Sequence, residues 1–248
     1  MYDLPIYVWG LILTGAIGIP AATSAVLYRG AIAAGVDRRA ATTVTATTAT
    51  VLGGWLVLSG LLAGAGVYRQ DPGETVPWFL VAVAGTLIAL LLATRIPLMS
   101  RILSDPGTPA RLALPHWLRV VGVSFLIVMA LGHLPAAFAM SAGLGDIAIG
   151  VAAPFVALQL ARGTGRAGAV LFNVLGILDL VVAGTLGFLL FRLVEVTPST
   201  APLFVLPLAL IPTVAVPLAI TLHIVSLLRL RTASKAEEDR VGHLQAAS

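Results

Sequence analysis

Seven apolar stretches, of which all but Asp146–Ala161 are long enough to cross a lipid bilayer as a straight helix, dominate this chain and favour a membrane protein. A bilayer core about 30 Å thick requires about 20 helical residues. Of the 248 residues, 58% are apolar and 10% are charged, whereas soluble domains carry about 25% charged residues. The sequence therefore predicts an all-α, polytopic membrane bundle. The predicted spans are Ile6–Tyr28, Thr42–Tyr68, Val76–Pro97, Trp117–Ala139, Asp146–Ala161, Ala167–Phe191 and Leu203–Leu230.

The spans leave no stretch long enough for a soluble domain. We expect one seven-helix transmembrane domain over residues 1–230 and a polar, disordered cytoplasmic tail over residues 231–248. The opening "MYDLP" lacks the positive n-region of a secretory signal, so the first span should be retained. The expected location is the cell membrane, with the lipid bilayer as the surroundings. Oligomeric state is left open.

The basic residues give the orientation. Of the 15 Lys and Arg residues, thirteen fall at one end of the predicted spans, and only Arg69 and Arg192 fall at the other. Because the end richer in Lys and Arg faces the cytoplasm, we predict the N-terminus outside and the C-terminus inside. The thirteen are Arg29, Arg38, Arg39, Arg95, Arg101, Arg111, Arg119, Arg162, Arg166, Arg229, Arg231, Lys235 and Arg240.

Several common chemistries are not expected. The chain has no cysteine, which excludes disulfides and thiolate metal sites. Its basic residues lie between apolar spans without an aromatic platform, so nucleic acid is not an expected partner. "GTGRAG" at 163–168 spells a dinucleotide pattern, but it joins two apolar spans rather than a strand and a helix. The only lysine, Lys235, lies in the tail, which excludes a retinal Schiff base in a helix.

Ionisable and strongly polar side chains inside the predicted spans are the functional candidates, because each costs several kcal/mol in a bilayer. They are His133, Asp146, Asn173, Asp179 and His223. Measured at 1.5 Å per residue from the arginine nearest the cytoplasmic end of each span, His133, Asp179 and Asp146 lie at about 20–24 Å, whereas Asn173 and His223 lie at about 10 Å. For His133 the reference is Arg119. The sequence thus predicts an outer group and an inner pair.

The outer group is predicted to converge on one cavity open to the outside. A cluster of His133, Asp146 and Asp179 has ligands suited to a divalent metal, or titratable groups suited to a proton relay. Two plainer interpretations stay open. Asp146 follows Gly145 at a predicted helix start, where an aspartate caps backbone N–H groups, and His133 can be an interhelical hydrogen-bonding residue. Asp179 lies mid-span, where no helix end explains it.

The inner pair, Asn173 and His223, is predicted to share a hydrogen bond or a water, with a contribution of about 0.6–2 kcal/mol. The same depths argue against a bis-histidine haem between His133 and His223, because two axial ligands must lie at nearly equal depth. Beyond these exclusions the sequence leaves the cofactor unknown.

Three stretches, "HLPAAFAMSAGLGDIAIGVAAP", "FNVLGILDLVVAG" and "LIPTVAVPLAITLHIVSL", resemble a pattern found in uncharacterised bacterial multi-pass membrane proteins. The pattern HLPxxFAxxAGxGD / NxxGxxDL / LIPTxxVPLxxxLHxxSL covers the predicted fourth to seventh helices. The resemblance implies a shared polar core and no particular substrate.

Three functions follow from these residues. The first is an outward-facing polar site in helices four to six that binds or transports a cation, a proton or a small polar ligand. The second is a non-catalytic subunit or sensor whose polar residues only hold helices together. The third is an intramembrane enzyme that uses Asp179 and Asp146 as acids, which the low aromatic content, 6%, makes the least favoured.

Overall fold

The computed structural model describes residues 3–69, 76–192 and 196–246, with the side chains described as far as residue 232. Residues 247–248 of the predicted tail and the side chains of Lys235 and Arg240 lie outside this description. The described part of the chain is helical and contains no strand. The α-helices are α1 Ile6–Ala33, α2 Arg38–Gly64, α3 Trp78–Ala93, α4 Pro97–Leu103, α5 Thr108–Ala113, α6 Val123–Ala130, α7 Ala136–Ala161, α8 Arg166–Arg192 and α9 Val216–Ala246.

Six helical segments of the described chain are long and apolar enough to cross a membrane. A seventh is formed if α3 and α4, which meet at a bend of 82°, count as one span. The prediction of an all-α, multi-span membrane protein is therefore confirmed, with six or seven spans. The backbone of α9 is helical to Ala246 and so continues into the tail for which the sequence predicts disorder.

The middle of the chain departs most from the predicted spans. One span runs from Thr108 to Ala130, and the next, α7, begins at Ala136. The connecting turn is only residues 131–135, so most of the segment between His133 and Asp146 is helix. Asp146 consequently lies ten residues inside α7, and the interpretation that it caps a helix N-terminus is wrong.

A 3-10 helix, Leu114–Gly122, joins α5 to α6 within that span. Pro115 near its start has no N–H to continue the α-helical bonding pattern. With three residues per turn, side chains three apart are aligned on one face. His116, Arg119 and Gly122 therefore share a face, whereas in an α-helix His116 and Gly122 would diverge by about 120°. Runs of 3-10 helix this long are uncommon and often mark functional positions.

A π-helical turn, Ile211–Ala215, precedes α9 and is accommodated by α2. Pro217 has no N–H to give to the carbonyl of Thr213, four residues earlier. The indole Nε1 of Trp55 donates to that carbonyl at 2.9 Å, and the hydroxyls of Ser59 and Thr213 lie 2.7 Å apart. Side chains of α2 thus satisfy a backbone group that proline leaves free, as membrane interiors require.

Substituting Trp55 with phenylalanine should destabilise the protein by about 0.6–2 kcal/mol, because an aromatic ring remains but the Thr213 carbonyl loses its donor. The free energy of unfolding in mixed micelles measures this. Trp78, which is half-exposed, provides the matched control, and Trp78→Phe should leave the unfolding free energy nearly unchanged. Equal values for the two variants would show that the indole bond contributes nothing.

Several arginines of the predicted cytoplasmic end meet at one end of the bundle. Arg101 donates to the carbonyl of Ala34 at 3.4 Å, Arg229 donates to that of Ser100 at 3.4 Å, and Arg166 donates to that of Leu230. The first bond joins α4 to the end of α1, the second joins α9 to α4, and the third joins α8 to α9.

At this end, Asp105 in the loop between α4 and α5 forms an ion pair with Arg111 of α5. Burial raises the pKa of the Asp105 carboxyl, but hydrogen bonds from Arg111 and the Gly107 N–H, with the charge of Arg111, outweigh it and hold that pKa below its ordinary value.

Candidate functional site

Arg119 is the centre of a charged cluster inside the bundle. Its side chain is 3% exposed, and its guanidinium reaches carboxylates on two helices. Nε donates to Oδ1 of Asp146 on α7 at 2.6 Å, and Nη2 donates to Oδ2 of Asp179 on α8. One positive charge is therefore shared by two carboxylates, both largely buried.

A chain of hydrogen bonds extends from Arg119 along α8 and α9. Its Nη1 lies 3.2 Å from Nε2 of His223, whose Nδ1 lies 2.9 Å from Oδ1 of Asn173. A guanidinium only donates, so Nε2 of His223 accepts and its Nδ1 carries the proton that is given to Asn173. The amide of Asn173 donates to the Ala169 carbonyl at 2.7 Å and to the Ser226 hydroxyl at 3.1 Å. The chain fixes the tautomer of His223 and the position of Arg119.

His116 packs beside this chain without joining it. Its ring stacks on that of His223 with centroids 3.8 Å apart and planes 15° apart, and Phe172 meets it edge-on. Neither ring nitrogen has a hydrogen-bond partner, although the residue is fully buried. Sequence reasoning placed His116 outside the predicted fourth span and gave it no role.

Glycines on neighbouring helices make the space that the cluster occupies. A Cβ on Gly122 would overlap the Cβ of Asp146, and one on Gly176 would overlap the imidazole of His223. A Cβ on Gly145 would overlap the carboxylate of Asp179. Larger residues at these three positions would move the charged side chains away from Arg119.

A cavity of about 190 Å³ lies against the two carboxylates. Asp146 and Asp179 are the ionisable groups that line it, and the remaining lining is almost entirely apolar. Its walls come from α3, α6, α7 and α8 and from the segment 203–216, in which Leu203 and Phe204 are buried. The cavity therefore extends from the middle of α8 toward the end of the bundle at Arg192.

The predicted outer group is only partly brought together. Asp146 and Asp179 meet at Arg119, but His133 lies in the turn before α7. Since α7 begins at Ala136, Asp146 is about 15 Å further along the helix axis. Among the described residues, no group of three His, Asp or Glu side chains is placed to hold a metal ion. His223 and Asn173, the predicted inner pair, lie within hydrogen-bond distance of each other and join the same network as the two aspartates.

Arg119 is the residue whose position was predicted wrongly. The charge asymmetry counted it at the cytoplasmic end, and the depth of His133 was measured from it. The structure buries it between α7, α8 and α9. Removing it from the thirteen still leaves twelve basic residues against two. The available signal was the apolar run on both sides of Arg119 from Leu112 to Leu131, which becomes a single span if Pro115 lies within it.

The long apolar helices and their buried contacts are those of a polytopic helical membrane protein with a hydrogen-bonded charge cluster beside an apolar cavity. The chain belongs to the family described as "Domain of unknown function (DUF8737)", whose model matches residues 76–231. The match begins just before α3, leaves α1 and α2 outside, and contains every residue of the charge cluster. No curated protein and no solved structure matches the chain.

Proposed function

We propose that the protein binds a monovalent cation, with a proton as the simplest case, at the Asp146–Arg119–Asp179 cluster within the membrane. The observation that carries this proposal is that two carboxylates share one guanidinium at the edge of a cavity. Two ionised carboxylates and one guanidinium leave the site with one negative charge, because His223 accepts from Arg119 and is neutral.

An unbalanced charge is expensive in this environment. Its Coulomb and desolvation energies are far larger in a medium of low dielectric constant than in water. A proton on one carboxylate, or a cation in the cavity, removes the imbalance. The two aspartates face the cavity while Arg119 lies behind them, so a cation reaches the carboxylates without displacing the arginine. Binding and release of one positive charge is sufficient to account for this geometry.

The orientation is part of the proposal. With the arginine-rich end in the cytoplasm, the C-terminus is inside, the N-terminus is outside and the cavity lies in the outer half of the bundle. The gathering of Arg101, Arg166 and Arg229 at one end supports this arrangement. The proposed location is the cell membrane. His133 then lies in an outer turn, at the same end of the bundle as the far part of the cavity.

A structural role is the second candidate, because the same contacts join segments that are distant in sequence. Arg119 ties its 3-10 helix to α7, α8 and α9, and Asn173 ties α8 to α9. A purely structural cluster would keep one protonation state over the whole pH range in which the protein is folded.

Infrared difference spectroscopy between acid and alkaline pH tests the proposal on the purified protein in detergent. We expect a pH-dependent C=O band of a protonated carboxyl group that disappears in Asp179→Asn or in Asp146→Asn. Asp105→Asn removes a carboxylate from the α4–α5 loop, outside the cluster, and should leave that band in place. A spectrum in which neither cluster substitution removes a band would contradict proton binding and favour the structural role.

A further inference from the structure

We infer that the cavity beside Asp146 and Asp179 binds a lipophilic organic cation, such as an alkyl or benzyl ammonium, which reaches it from the hydrocarbon region of the membrane. This ligand class rests on the proposed cation site and specifies what occupies the cavity when the proton leaves. Three independent features of the cavity support it, namely its walls, its opening and its charge.

The walls of the cavity are much richer in aromatic residues than the chain as a whole. The chain has eight phenylalanines, and five of them line this cavity. They are Phe79, Phe125, Phe138, Phe188 and Phe204. Aromatic faces attract cations through the ring quadrupole, an attraction worth about 2 kcal/mol or more when the pair is desolvated. Apolar walls also accept the organic substituents of the cation, which an inorganic ion does not have.

The cavity opens between α3 and α8, on the side of the helical bundle. Leu80 on α3 is 38% exposed and Phe188 on α8 is 37% exposed, and Gly184 on α8 is exposed as well. All three line the cavity. α8 is one of the six helices that could cross a membrane, and α3 is the apolar first part of the bent α3–α4 pair, so we expect the gap between them to face lipid tails. A ligand that partitions into the bilayer enters here without crossing the charged network around Arg119.

The charge distinguishes an organic cation from a neutral lipid. A neutral apolar molecule could fill the cavity only while the proton stays on the carboxylates, whereas a monocation itself neutralises the single negative charge of the site and takes the place of the proton. The exchange is balanced: one cation enters, one proton leaves the carboxyl group for bulk water, and the charge of the site stays constant.

Binding of radiolabelled benzyltrimethylammonium to the purified protein in detergent tests this assignment. We expect saturable binding that weakens as the pH falls, because protons compete for the same carboxylates, and release of one proton per bound cation in weakly buffered solution. Neopentylbenzene has the same shape without the charge and should not compete. Binding that is absent, or that neopentylbenzene displaces equally well, would overturn the assignment.

Three variants separate this assignment from the proposed function, with Gly184→Leu as the one that should affect cation binding alone. Gly184 lines the cavity and no atom lies within 4 Å of a Cβ added there, so we expect Gly184→Leu to narrow the cavity without a backbone clash. It should weaken cation binding at least tenfold and leave the infrared carboxyl band unchanged. Asp179→Asn should abolish both, and Asp105→Asn should affect neither.

A carboxyl band that titrates in the absence of any cation binding would refute the organic ligand and keep the proton site. Cation binding that is unaffected by both Gly184→Leu and Asp179→Asn would place the ligand elsewhere and refute the inference. Absence of both signals would refute the inference together with the proposed function.

Discussion

Replacing Arg119 with methionine should destabilise the protein by about 3–5 kcal/mol, the largest effect expected of any single substitution here. The change removes the guanidinium that Asp146 and Asp179 share and leaves two buried carboxylates without a compensating charge. Removing one partner of a buried ion pair costs that much because the remaining charge is desolvated and unpaired. Denaturant-driven unfolding in mixed micelles, followed by circular dichroism, measures the loss.

Two further variants identify the cause. Arg119→Met combined with Asp146→Asn and Asp179→Asn removes all three charges together and should recover most of the lost stability, because fully neutral replacements of buried ionic networks are often tolerated. Arg111→Met breaks the ion pair between Arg111 and Asp105. Both of these side chains are more exposed than those of Arg119 and Asp146, so the substitution should cost only about 0–1 kcal/mol. If the triple variant were as unstable as Arg119→Met alone, the arginine would act through packing rather than charge.

Substituting Gly122 with alanine should cost about 2–3 kcal/mol and disturb the charge cluster at the same time. Its Cβ would overlap the Cβ of Asp146, an atom that is fixed to the backbone of α7 and cannot rotate away. The 3-10 helix and α7 must therefore separate, which lengthens the bond from Arg119 to Asp146. Overpacking of this kind typically costs about 1–3 kcal/mol, and the weakened ion pair adds to it. The free energy of unfolding measures the loss of stability.

The infrared carboxyl band measures the disturbance of the charge cluster, and this band should shift in Gly122→Ala. Gly54 on α2 serves as the matched control, since no atom lies within 4 Å of a Cβ added there. Gly54→Ala should be neutral or stabilise α2 by up to about 1 kcal/mol through helix propensity. Equal effects at the two glycines would mean that close approach of the 3-10 helix to α7 is not required.

Part of the site was predictable because the depth of a polar residue in the membrane follows from its position within its own apolar span. Asp179 is flanked by apolar residues on both sides in "NVLGILDLVVAG", so its depth follows from its own helix alone. Asn173 and His223 likewise lie well inside long apolar runs, and their similar depth follows from counting residues. Which side chains face one another is a different question, since it depends on the rotation of each helix about its axis.

The position of Arg119 could not be predicted by counting residues along apolar spans. The apolar run around it is interrupted by a proline, a histidine and the arginine itself, and composition places a span boundary there. Packing decides otherwise: the 3-10 helix aligns His116, Arg119 and Gly122 on one face, and partners on three helices satisfy the buried charge. The aromatic walls of the cavity are equally invisible in the sequence, because five phenylalanines from distant segments meet only in the folded bundle.

Local composition was enough to predict a helical membrane protein, most of its spans and the end that carries the basic residues, because transfer into lipid depends on the make-up of each segment. Packing of the helices was needed to place Arg119 in the interior, with Asp146, Asp179 and His223 around it beside a cavity. A charge enters a membrane interior when side chains from other helices compensate it, and those contacts exist only after the helices have packed.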